Sequence, residues 1–151
     1  MQNYLPEELK KFKSISNMYD VYFVDLWGVI HNGINLFENA ITVLDELKKQ
    51  QKNVVLISNA PRSSDTVKQF LKKLKFDLEL IDLLVTSGDV TKNYINKNQK
   101  KIFYHLGPVK DNDLFEGINN ISSDINETQE IICTGLVDEI GGNISDYENL
   151  F

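Results

Sequence analysis

Two short apolar runs separated by one amphipathic segment constrain this chain more than any other feature. Val21-Tyr22-Phe23-Val24 is nearly continuous in apolar character and stops at Asp25, as a strand buried on both faces reads. Asn53-Val54-Val55-Leu56-Ile57-Ser58 repeats the pattern. Between them Ala40, Val43, Leu44 and Leu47 fall at i, i+3, i+4 and i+7, with Asn39 placed to cap the helix and Lys48 and Lys49 near its end. A strand, a helix and a strand joined by short loops make a right-handed parallel crossover. Asp25 and Ser58 then sit at C-terminal strand ends, where open α/β sheets place ligands.

The alternation continues. Ser63 or Ser64 can cap a helix carrying Val67, Phe70, Leu71 and Leu74 on one face. The strand Leu83-Leu84-Val85-Thr86 and a helical stretch from about Gly88 to Lys97 follow. Residues 101–106 (KIFYHL) and 130–134 (EIICT) are two further strand candidates, divided by a polar stretch rich in Asn, Asp and Ser. The order implies a doubly wound α/β domain. Near the end, Gly141-Gly142 reads as a turn and Ser145-Asp146-Tyr147-Glu148 as a capping box that opens a helix barely two turns before Phe151, which suggests truncation.

Composition narrows the function classes. With 151 residues, 42% of them hydrophobic and 25% charged, the chain can bury a real core. Sixteen basic residues against 22 acidic ones give a net charge of −6, and the lysines are scattered, which argues against a nucleic-acid surface. Cys133 is the single cysteine, so an intrachain disulfide and a paired Cys/His zinc site are both excluded, and a reducing, cytoplasmic compartment is expected. Charges interrupt every apolar cluster of the N-terminus, MQNYLPEELKKFKSI, so neither an export signal nor a membrane span is expected.

Two segments can carry chemistry. Asp25, at the end of a buried strand and before the turn Leu26-Trp27-Gly28, either ends the strand as a turn former or presents a carboxylate to a cation or an electrophile. Ser58-Asn59-Ala60-Pro61-Arg62-Ser63-Ser64 either forms a turn and a cap or offers a hydroxyl and backbone N–H groups to phosphate oxygens at a helix N-terminus. His31 is a surface-loop histidine or a proton donor, His105 a structural residue of a strand, Cys133 a buried small hydrophobe, and Trp27 a packing aromatic. A dinucleotide-binding domain is disfavoured because no Gly-x-Gly-x-x-Gly follows the first strand.

Taken together, Asp25-Leu26-Trp27-Gly28-Val29-Ile30, Leu56-Ile57-Ser58-Asn59-Ala60-Pro61-Arg62 and Val85-Thr86-Ser87-Gly88-Asp89 resemble the haloacid dehalogenase (HAD) superfamily, class IIA, the NagD and p-nitrophenylphosphatase type. His105-Leu106-Gly107-Pro108 and Cys133-Thr134-Gly135-Leu136 are similar to an uncharacterised subgroup of that branch. The resemblance implies an α/β fold: the first half of a Rossmann-like core with a parallel sheet over residues 19–87, after a lead segment 1–18, then the start of an α/β cap over 88–151. It implies a phosphohydrolase for a small phosphorylated metabolite, with Asp25 as nucleophile, Ser58 and Asn59 binding the phosphate, and Mg²⁺ held by Asp25 and the backbone carbonyl of Trp27. The family's phosphatases carry a proton-donating Asp where this chain has Trp27, and their Lys motif and second acidic motif follow the cap, so incomplete or weak activity is expected. The other class of reading is a catalytically silent phosphate-binding protein of the same fold.

Overall fold

A computed structural model describes residues 11–136 together with Asn143, Ser145, Tyr147 and Glu148. Gly141-Gly142 and Asp146 of the expected C-terminal turn and helix start lie outside the described residues. The chain divides into two compact units, one of residues 1–57 and 72–84 and one of residues 58–71 and 85–151.

The first unit is built on β1 (Val21–Asp25) and β2 (Asn53–Ser58), which pair in parallel with Val21 opposite Asn53 and Asp25 opposite Ile57. The strand β3 (Leu83–Thr86) completes the order β1-β2-β3. Between β1 and β2 runs α1 (Glu38–Lys49), whose Leu44 and Leu47 are each 1% exposed. Full burial of such a side chain contributes about 1.5–3 kcal/mol. Tyr22, Val54, Leu56 and Leu84 supply the same core from the strands.

Two expectations are corrected here. The strands are covered on one face only: Val21, Phe23, Ile57 and Leu83 point to solvent while their neighbours are buried. Parallel crossovers cover both faces only when helices lie on both, and among the described residues no layer lies over this one. The cap of α1 also differs. The helix begins at Glu38, with the Phe37 carbonyl accepting from Ala40 and Ile41, and Asn39 is already inside the first turn. No side chain caps this end.

Asp82 ties the unit together. Its carboxylate accepts from Lys48 Nζ at 2.6 Å and from the Val54 N–H at 2.7 Å, and its own N–H donates to the Val54 carbonyl at 2.8 Å. The Lys48 ammonium and then the Val54 amide hold its carboxyl below the usual carboxylate range.

The second unit holds a smaller parallel sheet in the order β5-β4-β6, from β4 (Phe103–Leu106), β5 (Ile121–Ser122) and β6 (Glu130–Cys133). The helix α3 (Ser87–Lys97) precedes it, and α2 (Ser64–Lys73) starts in this unit and ends in the first. Ile95, Phe103, Leu114 and Phe115 form its core, with Ile118, Ile121 and Ile132 packed on them. The short strand β5 lay hidden in the polar stretch. The 3-10 segment Val109–Phe115 makes the crossover from β4 toward it. Cys133 is exposed, against the expectation of a buried hydrophobe, because β6 alternates and residue 133 falls on the outward phase.

Candidate active site

Asp25 ends β1 with an exposed side chain, and its Oδ1 accepts from the N–H of Leu26 at 2.8 Å. That bond turns the carboxylate back over the following loop. Leu26 and Ile30, 2% and 1% exposed, anchor the loop in the core, and the Leu26 carbonyl accepts from Val29, Ile30 and His31. Gly28 supplies the left-handed φ of +77° that lets its N–H reach the His31 carbonyl at 2.8 Å. With both flanks pinned, Trp27 stands outward, 65% exposed, its indole edge-on to His31 and lying across Gly33.

His31 is buried rather than on the surface, at 4% exposure. Its Nδ1 accepts from the Gly33 N–H at 3.0 Å. Burial lowers its pKa from the ordinary value, with the nearby Asp25 charge opposing. A neutral imidazole that already accepts at Nδ1 is a poor proton donor at neutral pH. Its place is in the wall of the loop.

In the second unit, the Ser58 Oγ accepts from the Ala60 N–H at 3.1 Å, which leaves the hydroxyl proton to be donated. The Asn59 and Ala60 carbonyls both accept from Ser87 Oγ at 2.9 Å, and Gly88 N–H donates to Ala60 as well. A β-carbon on Gly88 would lie 2.4 Å from the Arg62 carbonyl oxygen, so the closeness of loop and helix requires glycine there. The start of α3 thus braces the Ser58-Asn59 loop. The Thr86-Ser87-Gly88-Asp89 motif was visible in the sequence without this role.

The N-terminus of α2 is closed by the protein itself. Ser63 Oγ accepts from the Thr66 N–H, and both carboxylate oxygens of Asp89 accept from the Ser64 N–H at 3.1 and 3.2 Å. An anion already occupies the positive end of the helix. That terminus is therefore not an open anion site.

Asp25 Oδ2 and the Trp27 carbonyl are hard oxygen donors of the kind Mg²⁺ takes. They fit the ion in type and fall short in number, since no group of three His, Cys, Asp or Glu side chains among the described residues could hold a metal. Phosphate oxygens and water commonly fill most of a Mg²⁺ shell.

A parallel α/β sheet with an acidic strand end followed by a pinned glycine loop, and a hydroxyl loop after the next strand, is a Rossmann-like core. Residues 22–120 match the family of haloacid dehalogenase-like hydrolases. A solved hydrolase of the haloacid dehalogenase-like family from Brucella suis is 30% identical, with a TM-score of 0.81, over 97% of this chain and 54% of its own. A possible sugar phosphatase of the HAD superfamily from Cytophaga hutchinsonii, 24% identical over 96% of this chain and 54% of its own, shares the fold with a TM-score of 0.71. A structure bearing the nagD name shares it at 0.59, 20% identical over 76% of this chain and 45% of its own. No curated protein matches. This chain belongs to the haloacid dehalogenase-like hydrolases. It spans about half the length of the solved relatives. Among the described residues no helix is long and apolar enough to cross a membrane.

Proposed function

We propose that this chain carries the nucleophile and phosphate-binding loops of a phosphohydrolase for a small phosphomonoester, working through an aspartyl-phosphate. The observation that carries the reading is Asp25 at the C-terminal end of a parallel strand, in register with Ile57, the residue before Ser58. Asp25 attacks phosphorus and the ester oxygen leaves. Water then attacks the aspartyl-phosphate, releasing phosphate and restoring the carboxylate. Ser58 and Asn59 hold the transferring phosphoryl group through the hydroxyl and the loop amides. Mg²⁺, when bound by Asp25 and the Trp27 carbonyl, neutralises phosphate charge.

Trp27 has no proton to give, so the leaving oxygen is protonated by solvent and good leaving groups are favoured. We retain residues 19–87 as the core segment and 88–151 as the cap segment of that enzyme, and the cytoplasm as its compartment.

The test is turnover of p-nitrophenyl phosphate by the full chain with Mg²⁺, together with hydroxylamine release of a trapped acyl-phosphate. Asp25→Asn is expected to abolish both signals, and Ser58→Ala to lower the rate by about 10²–10³-fold. Phosphate binding without turnover, or turnover unchanged in Asp25→Asn, defeats the reading.

A further inference from the structure

Arg62 is the one charged residue between Ser58 and Ser64, in the loop that opens with the Ser58 hydroxyl. Its backbone is fixed. Gly88 packs so closely on it that a β-carbon there would lie 2.6 Å from the Arg62 amide nitrogen and 2.4 Å from its carbonyl oxygen. The Gly88 N–H and the Ser87 Oγ hold the Ala60 carbonyl just before it. The side chain has a set direction as well, because its Nε faces Asp111 Oδ1 at 3.7 Å, yet it stays 41% exposed.

Asp111 cannot follow a mobile partner. It is 2% exposed, its N–H donates to the Pro108 carbonyl at 3.0 Å, and its 3-10 segment also carries the core residues Leu114 and Phe115. Its Oδ1 has no hydrogen-bond partner among the described residues. A charge buried this way lowers stability. Its visible effect is to draw the Nε side of Arg62 toward this segment. At 3.7 Å the pair attracts without a hydrogen bond, and no other acceptor among the described residues takes one from the guanidinium. The Nη edge can therefore make two parallel bonds, the fork that fits a carboxylate or two phosphate oxygens. The other electropositive feature beside the loop is already taken, since the N-terminus of α2 holds the Asp89 carboxylate.

We infer that Arg62 is a specificity residue that binds a second acidic group of the substrate, and that Asp111 is the residue that positions it. The inference rests on the reading of Ser58 and Asn59 as the phosphate cradle, and it narrows the substrate to a small phosphomonoester carrying a further carboxylate or phosphate. The Ser58 hydroxyl and the loop amides serve the transferring phosphoryl group. Arg62, further along the loop and drawn toward Asp111, serves the rest of the molecule.

The test is calorimetric binding to the full chain carrying Asp25→Asn, in which turnover is expected to be abolished. Three esters are compared: glycerol 3-phosphate without a second acid, 3-phosphoglycerate with a carboxylate, and propane-1,3-diol bisphosphate with a phosphate. At least one of the two diacids is expected to bind about tenfold or more tightly than glycerol 3-phosphate, and the one preferred tells carboxylate from phosphate. In the same background Arg62→Gln is expected to bring that ratio to about one, and Arg62→Lys, which keeps the charge and loses the fork, to leave it in between. Asp111→Asn is expected to lower the ratio about threefold while leaving the chain folded, an effect that a purely structural carboxylate would not have. A ratio near one before any change at Arg62, a ratio that survives Arg62→Gln, or an equal loss for all three esters overturns the inference and leaves the phosphatase reading standing. An unchanged ratio in Asp111→Asn removes its positioning role. Binding of none of the three esters defeats both readings. The expected ratio in a chain whose Asp25 parent releases no phosphate keeps the inference and defeats hydrolysis alone.

Discussion

The indole of Trp27 lies directly over Gly33: a β-carbon on that glycine would stand 2.7 Å from Trp27 Cη2 and 2.8 Å from Cζ3, and the glycine has a φ of +90°. Gly33→Ala therefore meets both a steric and a backbone cost. It is expected to destabilise the chain by about 1–3 kcal/mol and to displace the indole. Trp27 is the single tryptophan, so its fluorescence reports the displacement without interference. An unchanged emission spectrum and an unchanged urea midpoint would refute the packing described for this loop.

The same indole stands where a proton donor would serve the proposed hydrolysis. Trp27→Asp is expected to raise turnover of an alkyl phosphate by about 10²–10⁴-fold and that of an aryl phosphate much less, because only the poorer leaving group needs the proton. The ratio of the two rates is the measurement. Equal gains on both substrates would remove the leaving-group explanation.

Asp111 is 2% exposed, and its Oδ1 has the Arg62 Nε at 3.7 Å as its nearest positive charge, too far for a hydrogen bond. A buried carboxylate so poorly satisfied lowers stability. Asp111→Asn is expected to stabilise the chain by about 1 kcal/mol in urea unfolding, and Arg62→Ala to destabilise it by about the same amount. If Asp111→Asn instead lowers the midpoint, the carboxylate has a partner that this geometry does not contain.

Burial lowers the pKa of both histidines, with the Asp25 charge opposing at His31 and the Asn112 bond and the Asp111 charge opposing at His105. In the unfolded chain each titrates near about 6.5. Below that value the unfolded state binds protons that the native state refuses. Stability is therefore fully present above about pH 6.5 and is lost as the pH falls toward the lower native values. Urea midpoints at pH 7.5 and 5.5 are expected to differ in that direction, and His31→Gln to reduce the difference. A flat profile would mean that neither ring is desolvated.

The elements of the first unit were legible because each has a strong local signature: Val54 and Leu56 in an apolar run, Leu44 and Leu47 at helical spacing. Asp25 was legible as a strand end for the same reason. The burial of His31 was not, since it depends on Gly28 and Gly33 folding the loop so that Gly33 N–H closes on the ring. Ser87 and Asp89 were legible as part of a motif but not in their contacts, since their bonds to Asn59, Ala60 and Ser64 join residues more than twenty positions apart. The buried charge of Asp111 sits in a polar stretch that sequence patterning assigns to solvent. Ile121 and Ser122 form a strand through backbone pairing with Phe103 and Tyr104, which no side-chain pattern announces.

The carboxylate of Asp82, holding the Lys48 ammonium and the Val54 amide at once, acts as the zero mark of a ruler for the central strand. A one-residue slip of β2 would exchange Val54 and Leu56 for Val55 and Ile57 in the interior and carry the loop that opens at Ser58 along by about 3.3 Å. The proposed phosphoryl contacts of that loop need distances finer than that. An aspartate with no chemistry of its own thus sets the depth at which a hydroxyl twenty-four residues earlier in the chain, that of Ser58, stands.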